Sequence, residues 1–265
     1  MPDTTAQCVQ NPEVQNPVCI HTQQITDSCL DKDCIDDLRV YLTQSSQTAL
    51  ESASSVKIRY AELLYATVDA EPLAYKAGWY AVDVTFYYRI LGDAFLGGMR
   101  PQAICGLAVF TKRVVLYGGR SKAKVFSSTD LLSGAEDLLG RDRPVAVLEV
   151  LDPMVLSSRI KDHCQCRCRE GEQVDAPQLI TGSFEEPLVF SSEGKRLYVT
   201  IGQFSTVRLQ RGTQLSVSVC EYCAPSRQCC EEECCEEDPC ELFSRIEFPM
   251  QAFFPESRGC QQQTD

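Results

Sequence analysis

WYAVDVTFYYRIL, residues 79–91, decides the fold class. Tyr80, Val82, Val84, Phe86, Tyr88 and Ile90 alternate with Asp83, Thr85 and Arg89. That period of two gives a strand one apolar and one polar face, and spreads the same residues all around a helix. Trp79 and Tyr87 on the second face predict burial on both sides. The neighbouring stretches repeat the pattern. VKIRYAELLYATVDA (56–70) sets Val56, Ile58 and Tyr60 against Lys57 and Arg59. GLAVFTKRVVLYGG (106–119) reads as one long strand or a bent pair, ended by Gly118-Gly119.

Further out, Lys124 to Ser127 reads as a short edge strand and 128–144 as a loop with one helical turn. PVAVLEVLDPMVLSSRI (144–160) gives one or two strands, broken near Asp152-Pro153 because proline cannot donate to a ladder. KRLYVTIGQFSTVRLQ (195–210) alternates Leu197, Val199 and Ile201 against Tyr198, Thr200 and Phe204. QLSVSV (214–219) follows Arg211-Gly212, a hairpin signal. DSCLDKDCIDDLRVYLT (27–43) has helix-start character from Asp31 to Asp36, then becomes strand-like at LRVYL. ELFSRIEFPMQAFF (241–254) spaces Leu242, Phe243, Ile246 and Phe248 as on a helix, which suits a cap on the β core.

Short, numerous, alternating strands without βαβ order predict a mainly all-β chain. The expected form is a β-sandwich or two packed β-sheets with Cys-rich loops, an N-terminal arm and a short C-terminal helical segment. The segments are a polar arm at 1–28, a β-rich portion at 29–160, a Cys-rich loop at 161–177, a β portion completing the core at 178–219, an acidic Cys-rich tract at 220–240, and a cap and tail at 241–265.

Composition narrows the function. The chain has 265 residues, 44% hydrophobic and 23% charged, enough apolar material for a packed core. Net charge is −12, whereas nucleic acid and anionic bilayers demand a Lys/Arg surplus, so no nucleic-acid partner is expected. No apolar run reaches membrane-helix length, so no membrane insertion is expected either. MPDTTAQCVQNP at the start has neither the basic nor the apolar region of a secretory signal. The two histidines, His21 and His163, lie beside cysteines with no orienting third group, and no carboxylate dyad stands out. The expectation is a protein without catalytic residues or cofactor.

Sixteen cysteines dominate the rest. Cys8, Cys19, Cys29 and Cys34 lie near the start, Cys164, Cys166 and Cys168 form a C-x-C-x-C run, and Cys220, Cys223, Cys229, Cys230, Cys234, Cys235 and Cys240 crowd the acidic tract, with Cys260 near the end. Cys105 alone sits in a core strand. Thiols gathered in polar segments suit links between chains or metal binding better than stapling one core. Cys29 and Cys34, five apart, are read as a pair able to bridge or to stay free. Cys220, Cys223, Cys229 and Cys230 are the zinc candidates, since C-x2-C supplies two thiolates. The second half of that set lacks a second C-x2-C, and disulfide linking is the favoured reading. Arg167 and Arg169 favour thiolate in the first tract, and Glu231–Glu233 disfavour it in the second.

DSCLDKDCIDDLRVYL, WYAVDVTFYYRI, GLAVFTKRVVLYGG, VLEVLDPMVLSSRI, RLYVTIGQFSTVRLQR and EEDPCELFSRIEFPMQAFFP, taken together, resemble a family of cysteine-rich proteins of spore-forming clostridia. Some members are described as spore coat or outer spore-layer proteins. The resemblance spans about residues 27–255 and implies a structural protein, made in the mother-cell cytoplasm without a signal peptide, that assembles with itself and other spore coat proteins. Its thiols would oxidise between neighbours once the mother cell lyses. The alternatives are a zinc-binding module, or a carbohydrate- or partner-binding β-sandwich presenting Trp79, Tyr80, Tyr87 and Tyr88.

Overall fold

The computed structural model describes residues 19–97, 100–120, 143–162, 176–191, 194–216 and 239–253. Among these residues seven strands form one antiparallel sheet: β1 (Cys19–Leu42), β2 (Ser55–Pro72), β3 (Trp79–Phe95), β4 (Gln102–Tyr117), β5 (Val145–Val150), β6 (Met154–Lys161) and β7 (Arg196–Ser216). The order is β2-β3-β4-β1-β7-β5, with β6 following β5 along the same flank of β7. The sheet curls until β2 faces β5 and β6, nearly closing a barrel. At the seam the Leu63 N–H donates to Asp152 Oδ1 (3.0 Å) and Ser158 Oγ donates to the Val56 carbonyl (3.4 Å). A mainly all-β fold therefore holds, and its two facing layers are opposite walls of one curled sheet.

Side-chain alternation produces that curvature. Every inward position of β3 from Tyr80 to Ile90 is buried, as is Ala94. They meet Ala108, Phe110, Val114 and Leu116 of β4, Leu197, Val199, Ile201, Val207 and Leu209 of β7, and Val40 and Leu42 of β1. Each large aliphatic or aromatic side chain so buried contributes about 1.5–3 kcal/mol. The strands are far longer than the predicted short ones: β1 runs for 24 residues and β7 for 21. Bulges make such lengths bend. One between Ile58 and Tyr60 sends Tyr60 outward and brings Ala61 in, so Tyr60 does not share the face of Ile58 as alternation alone predicts.

Three other segments depart from the sequence reading. Residues 19–28, assigned to the arm, are the first part of β1 and pair with β7 from Cys19 to Ser28. Asp31–Asp36 is strand throughout, because β7 offers a full ladder partner that outweighs the local helix-cap chemistry of aspartate. Arg211-Gly212 is no turn. β7 continues through it, paired with Gln23 and Gln24. Lys124–Ser127 lies outside the described residues, as does most of 128–144. The break at Asp152-Pro153 falls between β5 and β6 as predicted.

Helix α1 (Gln44–Ser52) adds Ala49 and Leu50 to the main core and is an element the sequence reading did not include. Helix α2 (Gln178–Thr181) lays Ile180, with Phe184, over Tyr87 and Leu107 on the outer face of β3 and β4. Helices α3 (Pro239–Ser244) and α4 (Met250–Phe253) cap the outer face of β1 and β7. Phe243 is fully buried there against Phe204, with ring centroids 4.8 Å apart.

Candidate functional site

Cysteine placement follows strand parity. In β1, Cys29 points inward and is fully buried, whereas Cys34, an odd number of residues on, points outward. The two cannot pair with each other. Cys34 is instead bonded to Cys240 of α3, 206 residues away, which pins the C-terminal cap to β1. Lys32 reinforces the same junction, donating to the carbonyls of Ser244 (2.6 Å) and Ile246 (2.7 Å) and lying 5.0 Å over the Phe243 ring. Cys19 is a free, exposed thiol at the start of β1. Cys105 is half-buried beneath α2, and burial pushes its thiol pKa up, with the charge of Arg89 opposing. Cys8, Cys164, Cys166, Cys168, Cys220, Cys223, Cys229, Cys230, Cys234, Cys235 and Cys260 lie outside the described residues, and with them the zinc candidates and the two Cys tracts. Among the described residues, no three His, Cys, Asp or Glu side chains gather as a metal site.

The outer end of the β1/β7 pair forms a second feature. Among the described residues, Cys19–Arg39 of β1 share a ladder with β7 alone, and Arg211–Ser216 of β7 share one with β1 alone. From Cys19 to Gln24 the two strands therefore make a two-stranded ribbon whose two outer edges pair with no other strand among the described residues. Ile20 and Leu215 are directly opposite one another and 41% and 47% exposed. Open edges with exposed apolar pairs are templates for adding another strand.

The third feature lies inside the barrel. Asp31 and Asp33 occupy inward positions of β1, opposite Ser205 and Gln203 of β7. Lys112 occupies an inward position of β4, between Phe110 and Val114. Its ammonium donates to Asp31 Oδ2, to Asp33 Oδ2 and to Ser205 Oγ (3.2 Å). It also lies 5.5 Å over the Phe86 ring. The Lys112, Asp31 and Asp33 side chains are 10%, 6% and 15% exposed. Burial lowers the Lys112 pKa, but the charges of Asp33 and Asp31 and their hydrogen bonds outweigh it, and the net shift is upward. Burial, then the charge of Asp33, pushes the Tyr88 phenol up. The Tyr88 hydroxyl and Gln203 Oε1 are buried without hydrogen-bond partners among the described residues.

Sequence reading missed this cluster. A trace was present: in FTKRVVL, Lys112 stands at an inward position flanked two residues away by Phe110 and Val114. Asp31 and Asp33 likewise stand at alternate positions between Cys29 and Ile35. A charge at a core position demands a partner. What β1 and β4 owe one another across some 80 residues shows only in three dimensions.

The four aromatics considered for ligand recognition divide between faces. Tyr80 and Tyr88 are inside the barrel and Tyr87 is buried under α2. Trp79 is half-buried at the rim, edge-on to Tyr117 (5.7 Å) with Lys76 over its ring (3.4 Å). At the seam a cleft of about 480 Å³ separates Val56–Tyr60 from Pro153–Ser158.

No family model, curated protein or solved structure matches this chain.

Proposed function

We propose that the chain is a structural protein of a bacterial spore surface, a rigid barrel that assembles with copies of itself and is then locked by disulfides. The observation that carries this reading is the β1/β7 ribbon: two edges unpaired among the described residues, the exposed Ile20–Leu215 pair and the free thiol of Cys19 at its end. Strand addition at those edges supplies directional contacts through the backbone, and side chains such as Ile20 and Leu215 supply register. Oxidation of thiols held between neighbours then follows at high effective concentration. The resemblance to cysteine-rich clostridial coat proteins supplies the spore setting and the mother-cell origin.

The test places a charge on the ribbon. Ile20→Lys with Leu215→Lys keeps the barrel core, since both side chains are exposed, and a charged edge resists pairing. Electron microscopy and sedimentation of the unmodified chain should show sheets or filaments, and the double variant should remain a monomer with the same circular dichroism. A wild-type chain that stays monomeric at high concentration, in salt and with oxidant, would sink the reading.

A further inference from the structure

We propose that Lys112 and Asp31 join as an intramolecular isopeptide bond across the barrel, with Asp33 passing the protons. This goes beyond the assembly reading and is independent of it. One amine touches two carboxyls, largely shielded from water and set on strands of one sheet. Phe86, Phe110 and Val84 line the amine's side of the site. β1 and β4 share a ladder only at Val40–Leu42 with Gly106–Ala108. Beyond it no ladder pair joins the two strands, and Lys112 reaches from one to the other where backbone pairing has stopped.

An ammonium and a carboxylate are an amide plus one water: –COO⁻ and –NH3⁺ give –CO–NH– and H2O. The reaction needs no oxidant, reductant or activating co-reactant. In bulk water it is blocked because both ions are solvated and seldom meet in an attacking geometry. Here both obstacles are removed. Two reacting groups fixed on one scaffold gain effective molarities of about 10⁵–10⁸ M. Desolvation penalises both charges, which lessens the cost of moving a proton from Lys112 to a carboxylate it already touches. The ammonium is held against loss of its proton to solvent, but this transfer stays inside the cluster and leaves its net charge unchanged.

The roles divide by position. Asp31 is the more buried carboxyl and lies opposite Ser205, which also accepts a hydrogen bond from Lys112. Asp33 is less buried. Asp33 accepts a proton from the ammonium and passes it to the Asp31 carboxylate, and the freed amine attacks the now neutral Asp31 carboxyl carbon, forming the C–N bond. The second nitrogen proton follows by the same path, the C–O bond breaks, and water leaves. Asp33 ends as it began.

Peptide mapping of the full-length chain decides it. Trypsin cuts after Lys32 and so places Asp31 and Asp33 on different fragments, 1–32 and 33–39. A Lys112 side chain in amide linkage resists cleavage, so its fragment runs to Arg113. After reduction and denaturation, the expected result is fragment 1–32 branched onto the Lys112 fragment, with an intact mass lower by one water. Cleavage at Lys112 and an unshifted mass would overturn the bond. A branch onto 33–39 would overturn the assignment of Asp31 as acyl donor. Asp33→Asn retains both reacting groups and should give only linear fragments, and a branched product from it would overturn the proton-passing role. If that variant fails to fold, the map of the unaltered chain still decides whether the bond exists.

Discussion

Gly202 has no side chain because the Phe243 ring occupies the place where one would be. A Cβ there would lie 2.6 Å from two ring carbons, inside van der Waals contact. The sheet thus leaves a gap one residue wide on its outer face, and the C-terminal cap fills it. Gly202→Val should expel the ring and cost about 1–3 kcal/mol through overpacking. Phe243→Ala should cost about 3–5 kcal/mol by emptying the same space. Both should be read by denaturant unfolding, with limited proteolysis after Arg245 as the local probe. Equal protection of that bond in both variants and the parent would show that the cap is held by other contacts. Gly106 works in the same way at the β1/β4 crossing. A Cβ would lie 2.7 Å from the Tyr41 carbonyl oxygen, where the two strands come closest.

At the level of elements, legibility followed locality. β3 and β4 were readable because each strand's alternation depends on its own residues and both faces are unambiguous. The Asp152-Pro153 break was readable because proline's missing donor is a local fact. β1 was not. Its inward face carries Asp31 and Asp33, which look like turn or helix-cap residues until Lys112 supplies the counter-charge from another strand. The Cys29–Cys34 spacing likewise misled, because in a strand an odd separation places two residues on opposite faces. In the structure that parity releases Cys34 to bond Cys240. This disulfide joins a short helix to a barrel that has its own core, so its loss should be felt mainly at the cap. Cys240→Ser should lower stability by about 2–4 kcal/mol, the usual range for a disulfide, leave the β circular dichroism intact and expose α3 to protease. Loss of the β signal in that variant would mean that the barrel cannot form without its cap.

The whole molecule combines a stiff body with a strong negative field. A net charge of −12 repels copies at long range and keeps the isolated chain dispersed. The ribbon contacts proposed above act at short range, through backbone hydrogen bonds and the Ile20–Leu215 pair, and salt barely weakens them. The balance should therefore tip as ions are added. At about 0.01 M salt the Debye length is about 30 Å, and like charges on neighbouring copies repel almost unscreened. At about 0.15 M it falls to about 8 Å, and repulsion between docked copies is largely screened. Assembly should consequently rise with salt while reductant is present, before any disulfide between chains can form. Oxidant added afterwards should leave the shape of the assemblies unchanged but make them survive denaturant, with a ladder of oligomers on non-reducing gels that collapses on reduction. Cys19 should appear in the cross-linked peptides, while the fully buried Cys29 should not. Light scattering against salt, followed by gels before and after oxidation, separates the two stages. Assembly that requires oxidant from the outset, or that salt suppresses, would show that thiols or opposite charges make the first contact, and the open ribbon would lose its role.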